Sequence, residues 1–137
     1  MSVFDEASRP AVQLPDGSWM RAGRVVRWID GDTAIVDTMT DQSPTRTELE
    51  RWHIRLLGVN TPESNSKDPL ERARAHAATS NANLLAAPGT FVDVVIVQDD
   101  KYGGRVDGHV IRHVDGVDVA QAQIAGRFGL PYDGGAR

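Results

Sequence analysis

Apolar and polar residues alternate most clearly from Arg51 to Val59. Trp52, Ile54 and Leu56 fall on one side, with Arg51, His53 and Arg55 on the other, so a half-buried strand is predicted there. Asn60-Thr61-Pro62 ends it, because Pro62 lacks a backbone donor and restricts the residue before it. Arg24 to Asp37 reads as two strands broken at Gly31. Phe91 to Val97 is β-branched and apolar, as in a mostly buried strand, and Val106 to Val114 forms another. Pro15-Asp16-Gly17-Ser18 is a turn signal that makes a hairpin of Val12 to Arg21, and Asp115-Gly116 is a second turn, leading to Val117. Leu70 to Ala87 is alanine-rich and free of glycine and proline. It reads as a helix, with Pro69 in its first turn and Asp68 as cap. Val119 to Arg127 is a second helix. The first ten residues, Met39 to Arg46 and the tail are expected to be irregular.

The order is therefore several strands, a helix, two or three strands and a helix. Without sustained βαβ alternation a doubly wound parallel sheet is disfavoured. A mainly β, α+β arrangement fits better, as a small antiparallel barrel with appended helices. Residues 1–22 are read as an N-terminal arm with a possible hairpin and residues 23–137 as the barrel domain.

The 137 residues make one domain, large enough to bury roughly two-thirds of its unfolded surface. The absence of cysteine excludes disulfides, thiolate zinc sites, iron–sulfur centres and a thiol nucleophile. With 15 basic and 19 acidic side chains the net charge is -4, so any polyanion must be held by a local site. Thirteen of the bases are arginine, whose planar fork suits phosphate and exposed surface alike. No basic, apolar leader or membrane span is visible, which makes the cytoplasm the default expectation.

Three stretches could carry chemistry. Asp30-Gly31-Asp32-Thr33 sets two carboxylates around a glycine, which is either an ordinary capped turn or a set of oxygen ligands for a hard cation. Arg55 to Glu63 gathers a guanidinium, an amide, a backbone carbonyl and a carboxylate. Those are the parts of a phosphoryl-transfer site, or else a strand ending in an exposed proline turn. Asp100-Lys101-Tyr102-Gly103-Gly104-Arg105 combines phosphate-binding and base-stacking side chains with a tight turn, and reads equally as a solvated loop.

In order and spacing these stretches, Asp-Gly-Asp-Thr, Arg-Leu-Leu-Gly-Val-Asn-Thr-Pro-Glu and Asp-Lys-Tyr-Gly followed by Arg, resemble the staphylococcal nuclease (thermonuclease) family. Phe128 to Gly135 looks like that family's C-terminal end, so the resemblance spans roughly Arg24 to Tyr132. It implies a five-stranded OB-fold barrel with two or three helices. It implies a calcium-dependent endonuclease acting on DNA and RNA with little sequence preference and leaving 3′-phosphate ends. Asp32, Asn60 and the Thr61 carbonyl would hold Ca²⁺, with Mg²⁺ or Mn²⁺ as substitutes. Arg55 and Arg105 would hold the phosphate, and Glu63 would orient or deprotonate the attacking water. Lys101 and Tyr102 match contacts to a terminal phosphate, and Tyr132 matches a stacking tyrosine. The expected partner is single-stranded DNA or RNA, met by a monomer.

Two departures from the family pattern stand out. Asn60 replaces an aspartate, removing a negative charge from the metal site and predicting weaker affinity. An additional glycine precedes Arg105, which must reach the site through a β-bulge or be displaced from it. The alternative these departures open is a barrel that binds nucleic acid or protein without cleaving. A sugar- or peptide-binding barrel would require all three motifs to coincide by chance. His109 and His113 share a strand face without a third ligand and are read as structural, as are Trp19, Trp28 and Trp52 at the core or rim.

Overall fold

The computed structural model describes residues 11–39, 49–100 and 103–132. Its strands are β1 (Val12–Gln13), β2 (Trp19–Asp30), β3 (Thr33–Met39), β4 (Leu49–Leu56), β5 (Val59–Asn60), β6 (Phe91–Asp99), β7 (Val106–Arg112) and β8 (Leu130–Pro131). Two helices, α1 (Pro69–Leu85) and α2 (Val119–Ala125), complete it. Strands β2, β3, β4, β7 and β6 pair in that order, and β6 returns to β2, closing a five-stranded barrel. All these pairs are antiparallel except β4 with β7. The fold is thus the mainly β barrel with two helices that an OB-fold reading expects. Among the described residues no helix is long and apolar enough to cross a membrane.

Period-two patterning explains the closure. Val36, Ile54, Leu56, Val92, Val94 and Val110 point inward and are buried. Each such side chain contributes about 1.5–3 kcal/mol on leaving water. Strand β2 runs unbroken from Trp19, and its first residues already pair with β6. The barrel therefore starts before residue 23, and the Val12–Gln13 hairpin is added to the outer end of β2.

Helix α1 begins as its sequence dictates. Asp68 accepts a hydrogen bond from the Leu70 N–H at 3.0 Å, and Pro69 fills the first position. Its buried face is alanine, at Ala75, Ala78 and Ala82, so the helix axis can lie close to the barrel end. Trp28 Nε1 donates to the Ala86 carbonyl at 2.8 Å, pairing a carbonyl just past the helix end with a core side chain. Trp52 donates to Thr38 Oγ1 at 2.8 Å, and Trp19 is exposed. His109 and His113 pair with Asp118 and Asp93. The loop expected over Met39 to Arg46 lies, beyond its first residue, outside the described residues.

Candidate active site at the end of the barrel

The site is built first from the turn between β2 and β3. Asp30 pairs with Thr33, leaving Gly31-Asp32 as a two-residue connection. A Cβ on Gly31 would meet the Ala78 Cβ at 2.7 Å, so only glycine lets this turn dock on α1. Gln123 fastens it from α2. Its Nε2 donates to the Gly31 carbonyl at 2.9 Å and to the Ala78 carbonyl at 2.8 Å. Its Oε1 accepts from Asn81 Nδ2 at 2.7 Å, and the side chain is fully buried. Turn and both helices are thereby locked together, and Asp32 is 2% exposed.

The Asp32 carboxylate faces the chain leaving β5. Its Oδ2 accepts from the Thr61 N–H at 3.0 Å and its Oδ1 from Thr33 Oγ1 at 3.0 Å. Arg55, opposite Thr33 across the β3–β4 ladder, brings Nη2 to 3.5 Å from Asp32 Oδ2. The same Nη2 donates to Asn60 Oδ1 at 3.3 Å, while Nη1 donates to the Val59 carbonyl at 2.9 Å and to the Leu56 carbonyl. The Tyr132 ring covers the guanidinium, its centroid 5.7 Å from Cζ. Pairing of β5 with β8 and a 3.0 Å bond from the Tyr132 N–H to the Gly58 carbonyl hold that ring in place. Asp32, Arg55, Asn60, Thr61 and Tyr132 are thus one constellation, assembled from four separate stretches of chain.

Glu63 stands exposed at its rim, just beyond Pro62. It borders a groove of about 860 Å³ that also takes in Asn60 and Thr61 and runs between α1 and the chain leaving α2. The loop beneath is tied by Ser66 Oγ donating to Glu71 at 2.7 Å and by Arg72 donating to the Ser66 carbonyl at 2.8 Å.

Arg105 is placed by the turn before β7. In the parallel ladder Asp107 is the residue opposite Arg55, and Arg105 precedes it by two positions. The two glycines are taken up in the turn, with Gly104 at φ 82°, and the bulge falls on the facing strand between Ile96 and Gln98. Arg105 ion-pairs with Asp100 at 3.0 Å. Asp107 accepts from Gln98 at 3.0 Å. Burial, then a hydrogen bond shared with Asp100, pushes the Asp107 carboxyl above the ordinary aspartate range. Lys101 and Tyr102 lie outside the described residues.

Gln123 and Asp107 escape sequence reasoning. The one available signal for Gln123 is an amide on the otherwise apolar face of a short helix, beside Val119 and Ala120.

Among the described residues, no group of three or more His, Cys, Asp or Glu side chains is placed to hold a metal ion. A cation at this constellation would rest on one carboxylate, Asp32, with amide and carbonyl oxygens from Asn60 and Thr61. Thr61 Oγ1 is buried and makes no hydrogen bond with the described residues, so an ion or its water would satisfy it. The oxygens suit a divalent cation, which would share Asp32 and Asn60 with the Arg55 guanidinium.

No known protein-family model matches the chain, and no curated protein is similar enough to count as a relative.

Proposed function

We propose that this protein is a metal-assisted phosphodiesterase that hydrolyses single-stranded DNA or RNA at the Asp32–Arg55 constellation. The observation carrying the reading is the convergence of two separate motifs. The turn after β2 and the Arg55 to Thr61 stretch meet through a 3.0 Å bond between residues 29 apart in sequence. A conserved-volume core would not need a buried guanidinium there. A fork fixed by backbone carbonyls, however, is preorganised for the charge that develops on a phosphoryl oxygen.

Arg55 would lend its fixed positive charge to the neighbouring phosphate, and Tyr132 would confine the adjoining base. Glu63 would accept a proton from the attacking water. The water oxygen bonds to phosphorus, the bond to the 5′ oxygen breaks, and that oxygen takes a proton, leaving phosphate on the 3′ side. Asp32, Asn60 and the Thr61 carbonyl would hold the cation, which when bound neutralises charge on the phosphoryl group. A 3′-phosphate product, the Ca²⁺ preference and the membership of a thermonuclease-like family all belong to this proposal.

The test is cleavage of single-stranded DNA and RNA in Ca²⁺, Mg²⁺ or Mn²⁺ against a chelator control. Glu63→Gln should lower the rate by about 10²–10⁴-fold without lowering the melting temperature. Intact substrate in every metal would sink the reading. The Arg105–Asp100 ion pair favours a second one, a barrel that binds single strands without cutting them. Binding without turnover would select it.

A further inference from the structure

The chain leaving α2 ends it in a Schellman turn. The Arg127 N–H bonds to the Ile124 carbonyl at 3.0 Å and the Phe128 N–H to the Gln123 carbonyl at 2.9 Å. The residue after the cap in such a turn is left-handed, a place normally given to glycine. Here it is Arg127, at φ 64°, the one non-glycine residue with positive φ among those described. A glycine is present one position earlier, at Gly126, where φ is -81° and needs none. Gly126 has a different reason, since a Cβ there would meet the Phe128 ring at 2.9 Å. The chain thus holds an arginine where a glycine would relieve strain, and that residue lines the 860 Å³ groove together with Asn60, Thr61 and Glu63.

Arg74 of α1 brings a second guanidinium to the same groove, and Ile124, Phe128 and Leu130 give it apolar surface. Three carboxylates line it as well: Glu63 at the rim, Asp68, which caps α1, and Glu71, which accepts from Ser66 Oγ. A volume of this size is that of a ligand site. Guanidinium beside aromatic and aliphatic surface is the chemistry that takes a phosphate and a nucleobase together. Building on the nuclease reading of the adjoining constellation, we infer that this groove is a second nucleotide subsite. Arg127 holds the phosphate neighbouring the one at Arg55, and the Phe128–Leu130 surface receives its base. The substrate is therefore a strand of several nucleotides, and the left-handed conformation of Arg127 is retained to aim its side chain at that strand.

The experiment measures binding of a fluorescent single-stranded octanucleotide, in Ca²⁺, by the full chain carrying Glu63→Gln so that the probe is not consumed. Adding Arg127→Gly should weaken binding about 5–10-fold and reduce the slope of log affinity against log salt by about 0.7, the loss of one phosphate contact on a single strand. The melting temperature should stay level or rise, because glycine removes the strain. Arg127→Asn, which also tolerates the left-handed region, should repeat the loss, and Arg127→Lys should restore the salt slope. Unchanged affinity and slope in the Gly and Asn variants, with parental binding intact, would overturn the subsite and leave the nuclease reading standing. No binding by the Glu63→Gln protein itself would overturn both.

Discussion

Arg55 and Arg105 begin as equals in the sequence, two cations that the family resemblance assigns to one phosphate. Their surroundings differ. Arg55 is 5% exposed and held by the carbonyls of Leu56 and Val59, the amide of Asn60 and the carboxylate of Asp32. Arg105 follows a two-glycine turn and lies against Asp100, in a cluster with the raised carboxyl of Asp107. A strand followed by a tight turn fixes Arg55 within a few residues of chain. The position of Arg105 is set by the length of a hairpin loop, where one residue changes everything downstream. The two arginines are thus held by different means, one at a strand end and the other by a hairpin turn.

The largest expected effect tests that asymmetry directly. Arg55→Lys keeps the charge but loses the fork, so cleavage should fall by about 10²–10³-fold. Arg105→Lys should change it less than tenfold. Arg55→Ala should also lower stability by about 3 kcal/mol, because Asp32 would keep a buried charge without its partner. Rates and thermal melts of the three variants decide it, and equal losses at both arginines would erase the distinction.

Gln123 sharpens the comparison from the Arg55 side, because it fastens the turn that carries Asp32. Gln123→Leu would leave the Gly31 and Ala78 carbonyls and Asn81 without their shared partner, at a cost of about 2–3 kcal/mol. Gln123→Glu keeps an acceptor for Asn81 but loses both donated bonds when ionised, so it should fall between parent and Leu at low pH. Metal titration of the folded variants should show weaker binding, because the turn carrying Asp32 is loosened. A stable Gln123→Leu protein with parental metal affinity would refute the role.

The elements themselves were largely legible. The alternation at Trp52, Ile54 and Leu56 anticipates the inward face of β4, and Asp68-Pro69 marks the start of α1. Both depend on neighbours along the chain. The alternation also set Arg51, His53 and Arg55 on one polar face, yet Arg55 is buried while the other two are exposed. The reason is remote, because β5 and β8 fold over that end of β4. The end of α2 departs from its sequence pattern for a similar reason. Val119 to Arg127 reads as continuous helix, but the helix ends at Ala125 and the chain turns through a left-handed arginine that no sequence rule marks. Asp32, Arg55, Asn60 and Thr61 stand out in the sequence through their motifs, and the fold brings the four together. Gln123 does not stand out, since its value lies in carbonyls that only the closed fold brings to it.

Asn60→Asp restores the second carboxylate beside Arg55. It should tighten binding of Ca²⁺ by about tenfold, equivalent to about 1.4 kcal/mol. Calorimetric titration of parent and variant measures the difference. No gain would mean that the guanidinium, already shared between Asp32 and Asn60, absorbs the added charge.

The smallest effect belongs to the Arg105 side. The Asp107 carboxyl titrates above the ordinary aspartate range in the folded chain, chiefly through burial and then through the hydrogen bond shared with Asp100. The folded state therefore binds this proton more tightly than the unfolded one. Its stabilising contribution is complete below the ordinary aspartate value and is lost as pH rises through the folded value. At neutral pH the ionised group opposes folding, despite the charge of Arg105. Asp107→Asn removes that opposition and should stabilise the protein by about 0.5–1 kcal/mol at pH 7, a modest figure because solvent screens the site. The gain should shrink as pH falls towards the ordinary aspartate value, when parent and variant both carry a neutral group. Urea melts across that range follow the difference. A gain that stayed constant with pH would assign the effect to packing, and the carboxylate pair would no longer account for the Arg105 environment.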